Sequence, residues 1–121
     1  MTDALAVPGL RLAGRGLRAL AEGRPDVESM VLASLWGGMV LANAGLGAVH
    51  GLVAPLGGRC AIAHGTGCAA LLVETTRGNL AALRARAPSS RALARYDEVA
   101  RLLDFAGGDD LLRGLDDLRR R

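Results

Sequence analysis

The chain has 121 residues; half are hydrophobic, 17 are Gly, and Trp, Tyr and Phe occur once each. The 15 basic residues are all Arg and, with 12 acidic ones, leave a net charge of +3. This length suits one domain, 1–121. Few aromatics argue against a β-sandwich or barrel, and they leave no stacking platform for nucleic acid, so no nucleic-acid partner is expected. Two cysteines, Cys60 and Cys68, fall short of a secreted disulfide framework. Asp3 stands where a signal peptide would carry basic residues, so a cytoplasmic location is expected.

In chain order, Pro8 suits the first position of a helix, where a missing N–H costs nothing. Leu10, Ala13, Leu17 and Leu20 recur at helical spacing as far as about Ala21. Gly23 and Pro25 stop this helix. Asp26 is a good N-cap and Glu28 suits the first turn, predicting a helix from about Val27 to Ala42. That helix is apolar nearly all round, as expected of a central core helix or a membrane span. A turn at Asn43 to Gly45 leads to a helix from about Leu46 to Leu56 that carries His50, ended by Gly57 and Gly58. His64 and Gly65 open another, running to about Arg77 and continuing to Arg86 after a kink at Gly78. After the loop "APSS", with Ser90 as N-cap, two amphipathic helices follow at about Arg91 to Leu103 and Asp109 to Arg119. No strand is expected. The reading is all-α, a compact bundle of about six helices with Val27 to Ala42 and Leu46 to Leu56 at its centre.

The only two imidazoles, His50 and His64, lie in the most apolar stretch, "LGAVHGLVAPLGGRCAIAHG". A core imidazole with one hydrogen bond would account for either alone. Helices joined by a short Gly-rich reversal can bring two rings together, and imidazole is the commonest metal ligand. Spacing leaves both readings open. Cys60, His64 and Cys68 would share a face if one helix carried all three. Gly57 and Gly58 make helix around Cys60 doubtful, so the cysteines read as small buried hydrophobes. Glu74 reads as a helix-surface carboxylate. Asp109, Asp110, Asp116 and Asp117 read as solvated faces pairing with Arg113, Arg119 and Arg120. No Ser-His-Asp or Cys-His catalytic arrangement is visible, and no catalytic residue is assigned.

"LANAGLGAVHGLVAPLGGRCAIAHGTGCAALL" resembles the metal-binding signature of the iron-containing alcohol dehydrogenase family. The matching residues are Gly45, Gly47 and His50, then Pro55, Leu56 and Gly57, then His64 and Gly65. The histidines stand fourteen apart, as in the family. The likeness extends upstream through "MVLASLWGGMVLANAG" and downstream to Asn79 and "LARYDEVARLL", and its Ala- and Leu-rich form is similar to the maleylacetate-reductase-like branch. The resemblance implies an oxidoreductase with an α/β domain for NAD(P) and a helical domain for a divalent metal, iron or zinc, with His50 and His64 as two of four protein ligands. It places the other two in an Asp-x-x-x-His ahead of the region matched by "TDALAVPGL". A further histidine common in the family falls on Ala54 here, and the Pro that often precedes the second ligand falls on Ala63. The chain is thus expected to be part of the metal-binding domain, inactive alone and weak in metal binding. NAD(P) is expected only with a partner domain, and the partner is either a second copy or a chain carrying the nucleotide-binding domain. A non-catalytic helical assembly module and a small membrane hairpin are the competing readings. The resemblance favours a buried core over the hairpin, so no membrane is expected.

Overall fold

The computed structural model describes residues 2–120. It contains six helices: α1 (Thr2–Ala21), α2 (Val27–Ala44), α3 (Ala48–Gly57), α4 (His64–Arg86), α5 (Arg91–Leu102) and α6 (Gly108–Arg120). No strand occurs among the described residues. The all-α reading holds, with most boundaries within two residues of expectation.

The helices group into two compact units, one of residues 1–45 and 96–121, the other of residues 46–95. In the first, α1 packs on α2, and α6 touches α1. The approach of α1 to α2 rests on a small residue: a Cβ added at Gly16 would lie 2.5 Å from the Met30 sulfur. The α2 N-cap is the expected Asp26, whose Oδ1 accepts the Ser29 N–H at 3.0 Å. Ser29 is fully buried. Its hydroxyl donates to Asp26 Oδ2 at 2.7 Å and accepts from Arg15 Nε at 2.9 Å. The Ser29 hydroxyl and N–H, with the Arg15 charge beside them, hold the Asp26 carboxyl below the usual aspartate range. At the other end, Asp97 Oδ1 accepts the Gly108 N–H at 3.0 Å, satisfying an orphan donor where α6 begins. Leu111 and Leu112 turn inward from α6. Its acidic face pairs as expected, Asp110 with Arg113 at 2.8 Å and Asp116 with Arg119 and Arg120 at 2.5 and 2.7 Å.

The second unit is built on α3 against α4. Val53 of α3 and Val73, Thr76 and Leu80 of α4 are buried. α4 runs as one helix through Gly78 to Arg86. Ser90 Oγ accepts the Ala92 N–H at 3.2 Å, as an N-cap of α5 should. Glu74 pairs with Arg77 at 3.3 Å on the helix surface.

Two expectations are corrected. α1 begins at Thr2, and Pro8 lies inside it. The proline deprives the Ala4 carbonyl of its helical donor, but Ala4 is exposed, so that carbonyl is open to solvent. The second correction is larger: α2 and α3 are not the buried centre. Ser29 is the one residue buried on α2, and Val53 the one on α3. A helix apolar all round buries only the faces that have partners, and each of these has one helical neighbour in its unit. Val27, Val31, Leu35 and Met39, spaced four apart along α2, are all exposed. α2 is long and apolar enough to cross a membrane, with mean hydropathy 1.3 over 18 residues, 6% of them buried. α3 is not: its ten residues rise about 15 Å, half the hydrocarbon core of a bilayer. A hairpin of two spans is therefore not formed by α2 and α3.

Candidate metal centre

α3 ends in the turn Gly58–Arg59, where the N–H groups of Arg59 and Cys60 donate to the Leu56 carbonyl at 3.0 and 2.9 Å. The chain then runs through Ala61 and Ile62 to Ala63, whose extended backbone (φ −64°, ψ 134°) precedes the first turn of α4. This reversal returns α4 against α3, and one contact sets how closely they approach. Val53 lies one turn beyond His50, and Gly67 one turn beyond His64. A Cβ added at Gly67 would stand 2.5 Å from Val53 Cγ2. Both residues are buried, Val53 at 1% exposure. A side chain at 67 would push against Val53 and hold the two helices apart one turn from the imidazoles.

The two rings meet as a result, their centroids 5.4 Å apart and their planes tilted by 41°. His50 is half-buried and His64 exposed. Cys68, one helical turn after His64, joins them: its Sγ lies 3.5 Å from His64 Nε2. One ligand atom from each of His50, His64 and Cys68 falls within 4.8 Å of the others. Ligand atoms around a tetrahedral ion stand roughly 3.5 Å apart, given bonds of about 2.0–2.3 Å. The donors thus fit a small divalent ion after an inward movement of about an ångström. They are imidazole nitrogen and cysteine sulfur, the donor types that borderline and soft divalent metals take.

The reading of the cysteines as buried hydrophobes is corrected for both. Cys60 is exposed in the loop, outside the trio. Cys68 is half-buried beside the rings. The i, i+4 spacing of His64 and Cys68 was the available signal. Tying Cys68 to Cys60 on a single helix obscured it, because α4 begins after Cys60.

The family described as "Fe-containing alcohol dehydrogenase family, C-terminal" matches residues 1–118. The 1,3-propanediol dehydrogenase of Citrobacter freundii is 42% identical over 85 residues, 68% of this chain and 22% of that protein. The lactaldehyde reductase of Escherichia coli (strain K12) is 38% identical over 80 residues, 65% of this chain and 21% of that protein. Alcohol dehydrogenase 4 of Schizosaccharomyces pombe is 37% identical over 103 residues, 83% of this chain and 23% of that protein. The chain spans about a fifth of the length of these curated relatives. No solved structure matches it.

Proposed function

We infer, from the premise that the chain belongs to the Fe-containing alcohol dehydrogenase family and corresponds to its helical C-terminal part, that it is the metal-holding portion of an alcohol or aldehyde oxidoreductase. His50 and His64 are the ligands this chain contributes. The observation that carries the reading is the meeting of the only two imidazoles, fourteen positions apart in the sequence, at a ring separation of 5.4 Å. When bound, a divalent iron or zinc ion supplies a Lewis acid that polarises an alcohol or carbonyl oxygen during hydride exchange with a nicotinamide. The protein's own part is to hold the imidazoles by α3 and α4 packing, with His64 facing solvent and His50 half sheltered. NAD(P) is bound, on this reading, by a nucleotide-binding domain in another segment or a partner chain. The test is calorimetric titration of the full chain with Zn²⁺. One ion per chain is expected, with binding abolished in His50→Ala and in His64→Ala. Equal binding by both variants would refute the assignment.

The same reading assigns the exposed apolar surface to protein contacts in the cytoplasm and not to lipid or nucleic acid. In the second unit Leu46, Leu52, Leu56 and Leu72 are exposed, while Val53 is buried against α4. A soluble monomer rarely leaves a continuous apolar patch beyond a few hundred Å². Self-association, or capture of a chain carrying the nucleotide-binding domain, is the expected outcome. Sedimentation of the purified chain without detergent over a range of concentrations should show mass rising with concentration. A monomer throughout would contradict the expectation of self-association, and solubility only in detergent would favour a membrane role for α2.

A further inference from the structure

We propose that Cys68 is a third metal ligand of this chain, its thiolate joining His50 and His64 in an N₂S site that prefers Zn²⁺. The proposal rests on the reading of the two histidines as ligands and extends it to a residue that neither the family signature nor the histidine spacing singles out. Three observations support it. Cys68 Sγ is 3.5 Å from His64 Nε2, already at the separation of two donors on one tetrahedral ion. All three donor atoms fall within one 4.8 Å cluster, about an ångström wider than a shared tetrahedral ion requires. Cys68 also follows His64 by one turn of a continuous helix, so α4 fixes their relative position.

The chemistry follows from the donors. Two imidazoles alone hold a divalent ion weakly. A thiolate adds a negative charge and a soft donor, shifting preference from oxygen-seeking ions toward Zn²⁺. Binding releases the Cys68 thiol proton to solvent as the S–metal bond forms, with no change of oxidation state. Three protein ligands with one open position is the pattern of a catalytic zinc site. His64 is exposed to solvent. The chain's other cysteine, Cys60, is exposed and apart from the cluster, which makes the two thiols separable by experiment.

The probe is Co²⁺ added to the full chain, with absorption read in the visible for bound cobalt and in the near ultraviolet for a thiolate-to-cobalt charge-transfer band. Cys60→Ser should keep both signals. Cys68→Ser should lose the near-ultraviolet band and keep its helical circular dichroism. Its Zn²⁺ affinity should fall by more than the about 10–100-fold effect of removing a ligand's supporting partner. In the Cys60→Ser background, Zn²⁺ should also slow alkylation of the one remaining thiol. Cobalt bound with no charge-transfer band, and lost in His64→Ala, would overturn the Cys68 assignment while leaving the histidine reading in place. No bound cobalt in any variant would overturn both.

Discussion

Gly67→Ala is expected to unfasten the metal centre without altering any ligand. The new methyl would lie 2.5 Å from Val53 Cγ2, well inside contact distance. Val53 cannot swing aside easily, because it is β-branched, stiff at χ1 and 1% exposed. Helix propensity favours Ala over Gly by roughly 1 kcal/mol, which partly offsets the clash. Overpacking in a well-packed core costs about 1–3 kcal/mol, so the net effect is destabilising unless the helices separate. Separation relieves the clash but moves His50 from His64 and Cys68. Either route lowers Zn²⁺ affinity, by tenfold or more for each ~1.4 kcal/mol of mispositioning. Thermal denaturation with and without Zn²⁺ measures both terms. Gly67→Ala with unchanged melting temperature and unchanged zinc affinity would show that the Val53–Gly67 contact does not set the site. A paired Gly67→Ala, Val53→Ala variant should recover part of the lost affinity, since removing the isopropyl group makes room for the methyl.

The second large effect is an absence of turnover. The isolated chain should neither oxidise alcohols nor reduce aldehydes with NAD(H) or NADP(H), even when loaded with iron or zinc. Nicotinamide dinucleotides are gripped by a Gly-rich turn between a strand and a helix, with the pyrophosphate at the helix N-terminus. The described residues include no strand, and the Gly-x-Gly-x-x of residues 45–49 ends on His50. Without a held nicotinamide, hydride transfer loses the effective concentration that orientation supplies, worth about 7–11 kcal/mol of barrier. Assays on repurified, metal-loaded chain settle the matter. Turnover that persists through repurification and disappears in His50→Ala would mean that this chain binds cofactor by itself.

Much of the fold was legible because local rules were obeyed locally. Asp26 and Ser90 cap where their types and positions say they should, and Asp110 and Asp116 of α6 find their arginines one turn away. The misreadings share a different cause: each depended on what the neighbourhood supplies. Pro8 suits a helix start because an interior proline orphans a carbonyl, yet at Ala4 that carbonyl belongs to an exposed residue. The apolar circumference of α2 was read as burial, but composition states only what a helix can bury. Its row Val27, Val31, Leu35 and Met39 stays exposed.

The site was legible to the same degree and for the same reason. His50 and His64 are singular residues at a family spacing, and a Gly-rich reversal between helices is a local signal. The meaning of Cys68 depends on where α4 starts, three residues after Ala61 and beyond Cys60, which its spacing alone does not fix. Gly67 was one small residue among 17 glycines until Val53 was found against it. Contacts between helices of this kind carry no periodicity that a single sequence displays.

The central claim is that His50 and His64 hold one ion between them. X-ray absorption at the zinc edge of the full chain loaded with one equivalent of Zn²⁺ tests it most directly. The account predicts two imidazole shells at about 2.0–2.1 Å and one sulfur at about 2.3 Å. It further predicts that His64→Ala and His50→Ala each remove one imidazole. A spectrum of oxygen ligands alone, unchanged by either substitution, would contradict it.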